Sequence, residues 1–210
     1  MALPHSKNIF DYPARFQFGQ EGAPCNGQSC CTDTCIQMIV DFYKDDHYSL
    51  ATIRRRAQNK YAFDERQCTG INHLEVLNAL NQFGLGHYQV GFGVDAGDIW
   101  NKVAIGPTLV GVWYGSYPNE NGYCGGVKAE YEGRTDCGFR GTHAVLAIGR
   151  RWHNGHRDLY IRDPDHNSPS RPEKPKYDIV RLPDFNRAMR NIVPYSPFTN
   201  TYAIYPTRKK

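Results

Sequence analysis

The chain has 210 residues, of which 40% are hydrophobic and 22% charged, with a formal net charge of +4. That composition is ordinary for a globular protein long enough to bury a core without staples. It excludes a low-complexity chain, offers no apolar run near the eighteen residues a membrane span needs, and shows no basic stripe interleaved with aromatics, so no nucleic-acid partner is expected.

Residues 1–24 read as an irregular lead-in, broken by Pro4, Pro13 and Pro24. Their start, MALPHSKNIFDYPARF, has neither an apolar h-region nor a small-residue cleavage site. The expectation is therefore synthesis in a cytoplasm that keeps thiols reduced. The seven cysteines agree with this, since an odd number cannot pair completely within one chain. A single bridge, such as Cys124 to Cys137, is left open for a chain that ends up outside the cell.

Residues 31–44 predict a helix. Asp33, Gln37, Asp41 and Lys44 form one narrow polar stripe, while Cys35, Ile36, Met38, Ile39, Val40, Phe42 and Tyr43 are apolar. So thin a polar face marks a helix buried on most sides. A second helix over 49–57, with Ser49 as its cap, is expected to be more exposed, with Arg54, Arg55 and Arg56 on a solvated face. A third follows in TGINHLEVLNALNQFG, stopped by Gly84. A short fourth spans 98–105, ended by Gly106-Pro107.

The pattern then changes to strands: TLVGVWY (108–114), HAVLAIG (143–149), DLYIR (158–162) and TYAIYP (201–206). Residues 115–141, rich in Gly, Tyr and Asn, form a long functional-looking loop. Residues 164–210 read as a C-terminal extension holding one short helix over 182–191. Helices before antiparallel strands give an α+β class, and 1–210 is expected to be a single domain.

Three side chains combine into a chemistry. Cys31 stands at a helix start, where unpaired N–H groups favour a thiolate. His143 opens a strand and can take the thiol proton. Asp163 ends the next strand and can bond the other ring nitrogen. Together they give nucleophile, base and orienter. Cys30 remains an alternative nucleophile, and Cys35, one turn in, reads as core. No C-x-x-C pair occurs, so neither a metal site nor any cofactor is expected.

The sequence resembles the papain-like cysteine peptidases of the bacteriocin-processing, C39-like type, a family with phage-encoded members. The resemblance rests on CTDTCIQM (31–38), TGINHLEVLNALNQFG, IWNKVAIGPTLVGVWY, GTHAVLAIG and LYIRDPD, in that order over residues 25–165. It implies a papain-like fold, with a central buried helix packed on an antiparallel sheet, and thiol-based amide hydrolysis by Cys31, His143 and Asp163. It also implies a glutamine six positions before the nucleophile as an oxyanion donor. Cys25 stands there, so Gln28 is assigned that role; Thr32 replaces the family's glycine.

The expected partner is a peptide, a protein or a cell-wall cross-bridge. For a virion-associated member, other phage structural proteins join it. Two alternatives stand beside the hydrolase. One is an inactive papain-like structural protein of a phage tail or capsid. The other is a transglutaminase-like acyl transferase.

Overall fold

Strand residues alternate between two apolar sets, so one sheet is covered on both faces. The structure is a computed structural model that describes residues 30–44, 46–57, 71–114, 141–164, 177–191 and 200–209. Within these lie five helices and six strands. The helices are α1 (Cys31–Lys44), α2 (Leu50–Ala57), α3 (His73–Gln82), α4 (Ala96–Lys102) and α5 (Leu182–Asn191). The strands are β1 (Tyr88–Phe92), β2 (Thr108–Tyr114), β3 (Gly141–His153), β4 (His156–Arg162), β5 (Asp178–Arg181) and β6 (Tyr202–Pro206). They form a single antiparallel sheet in the order β1-β6-β2-β3-β4-β5.

The period-2 alternation sorts side chains to opposite faces. Leu109, Ala144, Leu146, Ile148 and Ile204 pack with α1, α2 and α3. Val110, Val112, Val145, Ala147, Leu159, Ile161 and Ala203 pack with α4 and α5. Helices thus sandwich the sheet, and α1 lies against β3.

The expected helices and strands exist, with shifts that have local causes. The fourth helix begins at Ala96 rather than 98 because Asp95 and Asp98 form a reciprocal capping box. Asn72 and Glu75 cap α3 in the same way, and Gly84 follows it at φ 73, the left-handed geometry that stops a helix. Strand β3 continues four residues past 149, because Asn154 (φ 48) and Gly155 (φ 76) close a tight β3–β4 hairpin. Strands β1 and β5 were not expected; each is short, and a sheet neighbour rather than local pattern holds it. Helix α5 spans 182–191 as read. The lead-in and residues 115–140 lie outside the described residues.

The second helix requires a correction. Arg54 is not on a solvated face: it is 1% exposed. Its Nη2 donates to Asp33 Oδ2 at 2.7 Å and its Nε to Oδ1 at 3.2 Å. The stripe residues Asp33, Gln37 and Asp41 are likewise buried, since α2 and its lead-in lie over that side of α1. A three-arginine run reads as solvated until a buried carboxylate on another helix claims one of them.

Removing one partner of such a pair strands a buried charge. Arg54→Ala is expected to cost about 3–5 kcal/mol in urea unfolding, and the double replacement Asp33→Leu with Arg54→Met is expected to recover most of that loss.

Candidate active site

Antiparallel pairing carries the end of β2, the start of β3, the end of β4 and the start of β6 to one end of the sheet. His143 is the third residue of β3, and Asp163 follows the last residue of β4. Both are almost fully buried. His143 Nε2 lies 2.7 Å from Asp163 Oδ1. The sheet register produces this contact across 20 residues of chain.

Helix α1 brings the sulfur to the same place. Cys35 Sγ donates to the Ala144 carbonyl at 3.6 Å, anchoring the second turn of α1 on β3. One turn earlier, Cys31 meets the same stretch of β3: the His143 ring and the Ala144 backbone both act on its sulfur and favour the thiolate. With Nε2 taken by Asp163, Nδ1 is the ring nitrogen left for the thiol. Cys31 is half-buried, Cys30 and Cys35 fully buried, and all three are free thiols. The three sequence-selected residues Cys31, His143 and Asp163 therefore meet in one place.

The surroundings push neighbouring thiols in opposite directions. Burial raises the Cys31 pKa, but the hydrogen bond and charge of His143 outweigh it, helped by the Ala144 N–H and Thr32, and hold it below the ordinary thiol value. Burial lowers the His143 pKa, yet the Asp163 carboxylate and the Cys31 sulfur carry it up to about 10. Both shifts favour the charged pair, thiolate and imidazolium, over the neutral one. Cys30 is pushed up to about 12, by burial first and then by the Asp33 charge. Its sulfur sits 3.9 Å from Arg54 Nη2 on the α2 side of the helix, away from the imidazole. Burial raises the Cys35 thiol well above its ordinary value.

Tyr202 is a neighbour that the sequence reading passed over. It starts β6, and its ring lies over Gly111 of β2, where a Cβ would come within 2.6 Å of Cε1. Burial, then the charges of Cys31 and Cys35, raise its hydroxyl pKa. The signal was Gly111, an interior strand glycine that leaves room for a close-packed ring. Gln28, Cys25, Cys68, Cys124 and Cys137 lie outside the described residues. Among the described residues no cluster of three His, Cys, Asp or Glu is arranged for a metal ion.

No family model matches the sequence, and no curated protein matches it. Solved structures do match the fold. One is the crystal structure of a candidate C39-like peptidase from Bacillus anthracis, which aligns over 95% of this chain and 96% of its own with a TM-score of 0.57. The two are 14% identical, so the likeness establishes a shared fold.

The local chemistry predicts a reactivity order. Iodoacetamide at neutral pH should alkylate Cys31 well before Cys30 or Cys35, as read by peptide mapping. His143→Ala should slow Cys31 by about tenfold or more and move the rise of its rate–pH curve up toward the range of an ordinary thiol.

Proposed function

We propose that the chain is a thiol-dependent amide hydrolase of the papain-like, C39-like type, with Cys31, His143 and Asp163 as its catalytic residues. One observation carries the reading: a half-buried thiol at a helix start is made more acidic by an imidazole whose Nε2 lies 2.7 Å from a buried carboxylate. The shared fold with a candidate peptidase agrees with it but does not reach the residues.

In this reading the Cys31 thiolate attacks the carbonyl carbon of an amide. The carbonyl π electrons move to oxygen, and the backbone N–H of Cys31, together with Gln28, stabilises the oxyanion. Collapse of the intermediate breaks the C–N bond, and the imidazolium of His143 gives its proton to the departing amine. Water, deprotonated by the now neutral His143, then attacks the thioester. The acid leaves and the thiolate returns. Asp163 orients the ring and stabilises its protonated form throughout.

Cys31 is favoured over Cys30 by contact and by charge. Cys31 faces the imidazole, whereas Cys30 faces a buried ion pair and holds its proton to about 12. The substrate class is a peptide or protein amide, including cell-wall peptides.

With fluorogenic peptide amides as probes, Cys31→Ala should abolish turnover and Cys30→Ala should retain it. Asp163→Asn should lower kcat by about a hundredfold or more. Hydrolysis should set in below the ordinary thiol range, as the Cys31 thiolate forms, and decline as pH approaches about 10, where His143 loses its proton. Turnover that survives in Cys31→Ala, or that depends on Cys30, overturns the assignment. Release of a cross-linked product on adding a primary amine would move the reaction to the acyl transferases.

A further inference from the structure

At the opposite end of the sheet, the β3–β4 hairpin carries a feature the hydrolase reading does not use. Strand β3 pairs with β2 only as far as Ala147, and β4 pairs with β5 only from Asp158. Residues 150–157 therefore run beyond both neighbours as a two-stranded ribbon. At about 3.3 Å per residue, its tip lies roughly 36–40 Å from His143 along β3.

The ribbon sequence is RRWHNGHR, with three arginines, two histidines and no carboxylate. Cross-strand register sets Trp152 opposite Arg157, with Arg150 two residues away on the same face. Trp152 is 69% exposed, and Arg150 and Arg157 are exposed with it. Trp152 meets Trp100 of α4 edge to face at 6.0 Å. Arg150 donates to the Trp100 carbonyl at 2.9 Å, and its guanidinium lies 5.3 Å from that ring. On the other face Asp158 holds Arg151 at 3.1 Å. The nearest acids of α4, Asp95 and Asp98, are engaged in its capping box.

Positive charge alone would suit any polyanion. An open indole flanked by two guanidiniums adds a flat stacking face at fixed distance from the charges. A bilayer is the poorer fit, because Trp152 is the one apolar side chain of the ribbon and a single small anchor gives marginal membrane binding. A single-stranded nucleic acid supplies both complements, with a phosphate at every nucleotide and bases free to stack on aromatic rings. We propose that the β3–β4 hairpin docks single-stranded nucleic acid, with Trp152 stacking on a base and Arg150 and Arg157 meeting phosphates. The expectation of no nucleic-acid partner weighed composition; this proposal weighs the register that gathers these side chains.

The test uses the full chain and a fluorescein-labelled thymidine oligomer of about 16 nucleotides, followed by anisotropy at rising salt. Trp152→Ala and Arg157→Glu alter exposed side chains, and unchanged Cys31 alkylation reports an intact fold. The wild type should bind at low salt with quenching of tryptophan fluorescence, and affinity should fall as salt rises. Each variant should weaken binding by about tenfold or more, the range one stacked base supplies. Cys31→Ala should bind as the wild type does, so this outcome is independent of the hydrolase reading. Absence of binding at low salt, or variants that bind as the wild type, overturns the proposal. So does equal affinity for duplex DNA, polyglutamate or phosphatidylglycerol vesicles.

Discussion

Residue Ala144 joins the two halves of the candidate site. Its carbonyl accepts from Cys35 and its N–H meets the sulfur of Cys31, so two cysteines one helical turn apart straddle a single residue of β3. That contact sets the depth and rotation of α1 against the sheet. His143 is the preceding residue on β3, so any slip of α1 would separate sulfur from imidazole. A one-residue slip of β3 against its neighbours would turn His143 to the wrong face. The apolar sets on both faces of the sheet prevent the second error, and burial of nearly all of α1 prevents the first.

The same helix start shows how position decides the chemistry of a thiol. Cys30 and Cys31 are adjacent and share the positive end of α1, yet their acidities diverge. Cys31 faces an imidazole held protonated by a carboxylate. Cys30 is enclosed beside Asp33, whose negative charge opposes ionisation, and Arg54 compensates only in part. The Asp33–Arg54 pair ties α2 to the first turn of α1, while Thr34 Oγ1 donates to the Cys30 carbonyl at 2.8 Å. One thiol of the pair is thereby enclosed beside an ion pair, and the other is left facing the imidazole.

Much of this was legible in the residue pattern because the pattern is itself the cause. Helix α1 followed from its narrow polar stripe, and β2 and β3 from unbroken apolar runs. Cys31, His143 and Asp163 could be singled out because each stands at or near the end of a regular element and together they supply a nucleophile, a base and an orienter. Their contact is a long-range consequence of register and could be expected but not read. Arg54 was misread because nothing in its own neighbourhood announces Asp33, 21 residues away. The Asn154-Gly155 turn was the local signal for the extended hairpin, and through it for the gathering of Arg150, Trp152 and Arg157. Strands β1 and β5 carry little pattern of their own, and Tyr202 is defined by a glycine on the strand beside it in the sheet but far away in sequence.

The central claim is that His143 stands protonated between a thiolate and a carboxylate. Titration of its imidazole by NMR, in the wild type and in Cys31→Ala, addresses this directly. The account predicts a ring that stays charged through neutral pH and releases its proton near about 10, with a lower pKa once the sulfur is removed and only Asp163 remains to support the charge. A ring that titrates near the ordinary 6.5 in both proteins would contradict it.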